Sequence, residues 1–231
     1  MTDWYKIKRI LTWVNWEEKQ IYPAGWKPWA NTIAYFPLKE DTYDYSWNSR
    51  NLSNIWVTFV NNIGWATIPV WYFNWSSRAY IYWTTQLNTG YTISLWMKWD
   101  NGWFIYDLRN DNQYGQGVYL IVENSLIKTR QQIAASSEEE YNRSKDNNWD
   151  NWIWTWTGSV WTIYFNWTQV KQATINNSIN TSASYLSLWS RYSWNTSNWT
   201  WYISNFIVEN TPWSSTEVSD YYNLTKWNYG L

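Results

Sequence analysis

Short runs of alternating or β-rich residues recur along the chain with turn residues between them, and no long stretch keeps a helical period. The runs at 5–12, 17–22, 33–38, 55–60, 78–82, 91–98, 103–109, 117–122, 126–133, 161–166, 169–175, 184–189 and 201–208 are dominated by Val, Ile, Thr, Tyr and Phe. These residue types pack well on a pleated, half-buried surface. Many short strands at this density predict an all-β sandwich. One helix is predicted, near the end. In "SSTEVSDYYN", Ser214 and Glu217 have the S-x-x-E spacing of a capping box, and Val218, Tyr221 and Tyr222 then share one face. The acidic, Ser-rich "AASSEEEYNRSKDNN" at 134–148 reads as a solvated surface loop. Residues 1–30 read as an N-terminal hairpin and Pro-containing linker that attach a sandwich domain of residues 31–231. The alternative is that they are simply the sheet's first hairpin.

The turns between these runs contain an anomaly. The chain has 26 Trp and only 8 Gly, whereas an ordinary composition of roughly 7% Gly would give about 16. Trp16, Trp75, Trp149, Trp152, Trp167 and Trp199 directly follow Asn, and Trp47 and Trp194 follow Ser. Asn or Ser beside a residue of positive φ is turn chemistry, and the residue expected there is glycine. Written with glycine, "LTWVNWEEKQIYP" and "WTIYFNWTQVKQATI" become N-G hairpins. A non-glycine residue in the left-handed region costs roughly 1–2 kcal/mol. A dozen such sites would cost on the order of 10–20 kcal/mol, against a domain stability of about 5–15 kcal/mol. The reading is that W stands for glycine at Trp13, Trp16, Trp29, Trp47, Trp56, Trp71, Trp75, Trp167, Trp189, Trp194 and Trp201. The route would be a UGA codon, which some genetic codes read as glycine and others as tryptophan. Trp4, Trp103, Trp149, Trp152, Trp154, Trp156 and Trp161 stay open, while Trp26, Trp96 and Trp213 read as true aromatics. The competing reading is a Trp-rich protein that stacks sugars on its indoles.

Composition removes several functions. The net charge is −1, so no broad field recruits nucleic acid or an anionic membrane. Without cysteine there is no disulfide framework or thiolate metal site. Without histidine, Ser-His and Cys-His catalysis and imidazole ligation are excluded. The start "MTDWYKIKRI" lacks the apolar run of a signal peptide. No stretch of about 18 apolar residues offers a membrane span.

With glycine restored, residues 31–226 resemble the concanavalin A-like LamG domains of bacterial and phage surface proteins. "IAYFPLKEDTYDYSWNSRNLSN" is similar to that family's opening strand and D-x-S-G-N loop, and "YFNWSSRAYIY" to its F-N-G-S-S-x-Y-I strand. "YTISLWMKW" resembles its T-I-S-x-W-V-K strand, with Trp96 at the family's own tryptophan. "WTIYFNWTQV" looks like its I-Y-V-N-G hairpin, and "YISNFIVENTPWSSTEVSDYYN" like its closing strand and helix. The resemblance implies a jelly roll of two antiparallel sheets with one short C-terminal helix. It also implies a calcium loop at Asp41, Asp44 and Asn48. Lys39, Ser204 and Asn205, however, stand where family acids are common. The other reading of Asp44 is that it hydrogen-bonds its own turn.

Three functions follow. The first is a non-enzymatic recognition or adhesion module on a cell surface or virion. It would meet a glycan or surface protein through the sandwich and join a larger assembly through the N-terminal segment. Tyr72, Tyr80, Tyr82, Tyr114 and Tyr119 are its candidate ligand-binding residues by composition. The second is a structural decoration or tail protein of a phage particle with no soluble ligand. The third is a glycoside hydrolase of the same fold, which needs two carboxylates facing one sugar bond. Asp107 is the lone acid of its predicted strand and Glu138, Glu139 and Glu140 fall in a polar run, so no catalytic pair is expected.

Overall fold

The computed structural model describes residues 11–14, 17–20, 31–37, 41–46, 48–61, 63–64, 66, 68–73, 77–86, 90–99, 104–109, 117–123, 126–134, 137–144, 148–174, 182–188 and 201–231. Their strands are β1 (Leu11–Val14), β2 (Glu17–Gln20), β3 (Thr32–Phe36), β4 (Ser53–Ile55), β5 (Thr58–Val60), β6 (Val70–Phe73), β7 (Arg78–Gln86), β8 (Tyr91–Trp99) and β9 (Phe104–Arg109). There follow β10 (Gly117–Glu123), β11 (Leu126–Ala134), β12 (Ser137–Ser144), β13 (Trp149–Trp156), β14 (Val160–Phe165), β15 (Thr168–Thr174), β16 (Ser182–Leu188) and β17 (Trp201–Glu209). Helix α1 (Ser215–Thr225) and a 3₁₀ turn (Lys226–Tyr229) close the chain.

Two antiparallel sheets face each other. One has the order β12-β11-β10-β9-β16-β7-β4, and the other β15-β14-β13-β8-β17-β6-β5, with β3 also paired to β17. This is the expected jelly-roll sandwich. Alternation sets the interior. Ala79, Leu120, Leu186 and Leu188 of the first sheet meet Trp71, Ile93, Leu95, Trp152, Ile163 and Ile203 of the second, all fully buried. A second apolar layer lies on the other side of the eight-stranded sheet. There Tyr35, Trp96, Trp149, Ile153 and Ile207 receive Val218, Tyr221, Tyr222 and Tyr229 from the C-terminal segment. That sheet is therefore covered on both faces, which is why β13 is buried at every position.

The helix begins where its capping box predicts. Ser214 Oγ accepts the Glu217 N–H, and the Glu217 carboxylate accepts the Ser214 N–H at 2.7 Å. The face expected to be apolar, Val218, Tyr221 and Tyr222, is the buried one. Three departures from the sequence reading are informative. Residues 137–144 form β12, an edge strand, and not a loop; a strand whose neighbour lies on one side only can be polar, and edge charges discourage further pairing. β13 was not among the predicted strands, because a strand buried on both faces shows no clean alternation of apolar and polar residues. β4 and β5, read as one strand, are two, joined through Trp56 and belonging to different sheets. β1 and β2 pair with each other; the Asn15-Trp16 turn predicted between them lies outside the described residues.

Candidate functional site

Pairing register assembles one transverse row across the seven-stranded sheet. Ser53 of β4 faces Tyr80 of β7, Tyr80 faces Ser187 of β16, and Ser187 faces Asp107 of β9. Asp107 faces Tyr119 of β10, Tyr119 faces Arg130 of β11, and Arg130 faces Glu140 of β12. Successive residues of a strand alternate faces. Ala79, Leu120, and Leu186 with Leu188, the chain neighbours of Tyr80, Tyr119 and Ser187, are fully buried in the core, and the register carries the other members to the same face. The row therefore belongs to the sheet's outer face. Beside it runs a second row in which Tyr82 faces Tyr185, Tyr185 faces Arg109, and Arg109 faces Gly117. Ser53 is exposed and Tyr80 half-buried.

Three of the five predicted ligand-binding tyrosines, Tyr80, Tyr82 and Tyr119, thus share this face. Tyr72 does not. It sits on the eight-stranded sheet opposite Tyr202, its ring 5.4 Å from that of Tyr202 at the margin of the second core. Tyr114 lies outside the described residues. Tyr185, Arg109, Arg130 and Ser187 were missed by sequence reasoning. The alternation of each strand was visible, but which strands are neighbours, and in what register, was not.

The loop of Asp41, Asp44 and Asn48 is a hydrogen-bonded corner. Asp44 is 5% exposed. Its Oδ1 accepts the N–H groups of Tyr35 (2.9 Å) and Ser46 (2.8 Å), and its Oδ2 accepts Ser46 Oγ (2.9 Å) and the Arg50 N–H (2.9 Å). Asp41 accepts the Tyr43 N–H and the Tyr45 hydroxyl, and the Asn48 amide donates to the Ile33 carbonyl at 2.8 Å. A calcium ion needs oxygens aimed at it; these carboxylates are aimed at N–H and O–H donors. In this arrangement the three residues do not fit the ion.

A second polar cluster is built on Asn205 of β17. Asn205 takes φ 50° at a bulge in β17, accepts the Tyr35 hydroxyl at 3.0 Å and donates to the Tyr229 hydroxyl at 2.7 Å. Burial pushes the Tyr229 and Tyr221 hydroxyls well above the usual phenol range. They stay protonated, and the Tyr229 hydroxyl accepts from Asn205 as a neutral partner. This cluster fastens the C-terminal segment to the sheet.

The tryptophans separate by environment. Trp56 and Trp167 take φ 53° and 66° and are 70% and 53% exposed. Trp96 and Trp149 are buried, and their indole N–H groups donate to Thr225 Oγ1 (3.1 Å) and the Ile63 carbonyl (3.0 Å); that of Trp213 donates to Glu209. Trp71, Trp152 and Trp161 are fully buried with indole N–H groups that find no acceptor. Trp71 lies inside β6, so the turn argument does not reach it. Trp13 and Trp201 lie in strands β1 and β17. Trp16, Trp29, Trp47, Trp75, Trp189 and Trp194 lie outside the described residues.

No protein-family model and no curated relative matches the chain. Solved structures do match its fold. The binding domain of Botulinum neurotoxin DC in complex with rat synaptotagmin II superposes with a TM-score of 0.65 at 13% identity, over 84% of this chain and 51% of that one. A structure described as "Cell entry of botulinum neurotoxin type C is dependent upon interaction with two ganglioside molecules" gives 0.65 at 13% identity, over 84% and 51%. The binding domain of Paraclostridial Mosquitocidal Protein 1 gives 0.67 at 17% identity, over 84% and 52%. This chain spans about half the length of the solved chains it matches. At these identities the likeness establishes a shared jelly-roll sandwich.

Proposed function

We propose that the protein is a non-enzymatic recognition module that binds an oligosaccharide on the outer face of its seven-stranded sheet. The observation that carries this is the row Tyr80–Ser187–Asp107–Tyr119–Arg130 on a face turned away from the core. Tyrosine offers a flat apolar ring with a polar tip. Ser, Asp and Arg supply hydroxyl, acceptor-only and donor-only groups, which together match sugar hydroxyls. Tyr80 and Tyr119 are three strand spacings apart, about 14 Å at about 4.8 Å per spacing. An oligosaccharide spans that distance and a monosaccharide does not. That solved structures of this fold include binding domains, one in complex with rat synaptotagmin II, and one whose description names two ganglioside molecules, supports a recognition role by analogy of fold alone.

The same proposal includes a LamG-like ancestry, display on a cell surface or virion, attachment through residues 1–30, and glycine in place of some written tryptophans. The test is a glycan array with the intact chain, Tyr80→Ala, Tyr119→Ala and the double variant, alongside free monosaccharides as competitors. Binding that falls at least tenfold in each single variant and resists monosaccharide competition supports the assignment. Binding that is absent, or indifferent to both substitutions, overturns it.

A further inference from the structure

We propose that residues 56 and 167 are glycine in the native protein, and that the tryptophan written at each is a misread codon. The inference rests the glycine reading of these two positions on backbone torsion and exposure, and it is independent of what the sheet face binds.

Backbone torsion is the first ground. Gly64, Gly90, Gly158 and Gly230 take φ of 63°, 152°, 88° and 77°. At these four positions the written glycine meets a positive torsion that favours it. Among the described residues, positive φ recurs at Ser49, Trp56, Asn166, Trp167 and Asn205. Asparagine enters the left-handed region readily because its short amide can bond locally; tryptophan has no such means.

Both torsions lie in turns closed by hydrogen bonds. Asn166 and Trp167 are the two residues between Phe165 and Thr168, which face each other in the β14–β15 register. Two central residues of positive φ are what a type I′ hairpin demands, with Asn-Gly the favoured pair. Asn166 is held on three sides. Its N–H donates to the Asn151 carbonyl (2.9 Å), its Oδ1 accepts the Asn151 N–H (2.8 Å), and its Nδ2 donates to Asp150 Oδ1 (3.0 Å). Trp56 sits where the chain leaves the seven-stranded sheet at β4 and enters the eight-stranded one at β5. Asn54 closes that corner by accepting the Val57 N–H at 2.9 Å.

Burial is the second ground. A strained backbone persists where surrounding structure over-determines it, and a buried indole could supply that. At 70% and 53% exposure these two do not. Trp96 shows the contrast. It lies within a strand, donates its N–H to Thr225, and stacks on Tyr229 at 4.1 Å between ring centres.

The decisive test reads the source gene and the native protein together. UGA at both codons, with peptide masses showing glycine at 56 and 167, is expected; UGG at either codon, or a tryptophan mass at either site, overturns the proposal. A second test uses the chain as written. W56G and W167G should each raise the folded-to-unfolded ratio by about 5–30-fold in urea titration, the equivalent of 1–2 kcal/mol, whereas W96G should lower it. A ratio that falls in W56G or W167G counts against glycine there.

Discussion

Replacing Asp44 tests whether its loop is built around a carboxylate or around an ion. In Asp44→Ala, the N–H groups of Tyr35, Ser46 and Arg50 lose their acceptor. Tyr35 is fully buried and Ser46 nearly so, so two of these donors have no water to turn to. At about 1–3 kcal/mol for each buried group left unsatisfied, the loss is about 2–6 kcal/mol, a large part of a stability of about 5–15 kcal/mol. Asp44→Asn keeps one oxygen for Tyr35 and Ser46. Its NH₂ meets the Ser46 hydroxyl, which can rotate to accept, and the Arg50 N–H, which cannot. That variant should lose about 1 kcal/mol. Urea unfolding followed by tryptophan fluorescence, with millimolar calcium and with chelator, measures both. The expected pattern is a large loss in Asp44→Ala, a small one in Asp44→Asn, and midpoints indifferent to calcium. An alanine variant within about 0.5 kcal/mol of the parent would refute the hydrogen-bond account. So would a calcium-dependent midpoint that Asp44→Asn abolishes.

Glu209 is 5% exposed and accepts Thr32 Oγ1 and the Trp213 indole. Burial raises its carboxyl above the ordinary 4.5, partly offset by those two hydrogen bonds. The folded state therefore holds this proton more tightly than the unfolded chain. The stability it contributes is fully present below 4.5 and is lost as pH rises through the folded value. Stability of the parent minus that of Glu209→Gln should fall with rising pH and then level off; a flat or rising difference from urea midpoints would contradict this. Ser214→Ala removes the capping-box acceptor of the Glu217 N–H and should cost about 1 kcal/mol, with Ser214→Asp restoring most of it in thermal unfolding.

The fold was legible because sandwich strands announce themselves locally. "YTISLWMKW" and "YISNFIVEN" carry β-branched and aromatic residues whose period matches their pleat, and "SSTEV" carries both halves of a cap. Where the reading failed, long-range placement had decided. Nothing in "SEEEYNRS" asks to be a strand. It becomes one because β11 offers an unpaired edge, and Tyr141 packs against the core. "WDNWIWTW" has no alternation to read because the sheet is covered on both faces, by the opposite sheet on one side and the C-terminal segment on the other.

The site was less legible for the same physical reason, carried one step further. A strand's alternation tells which residues share a face of that strand, but a binding row crosses strands, and its members are 27 to 107 positions from Tyr80. Composition therefore gathered Tyr80, Tyr82 and Tyr119 together with Tyr72, whose ring packs on the other sheet. Tryptophan shows the converse. Trp167 could be judged from its neighbours because a two-residue hairpin is a local object, and its torsion has the sign the Asn-Trp pair implied. Trp71 and Trp152 could not, because a buried strand accepts a large apolar side chain, and only the missing acceptor for each indole N–H sets them apart from Trp96. Turn chemistry therefore anticipates a positive torsion from sequence where the turn is local, as at Trp167, whereas Trp149 and Trp152, which also follow Asn, lie in a buried strand whose place is decided only once the sheets have met.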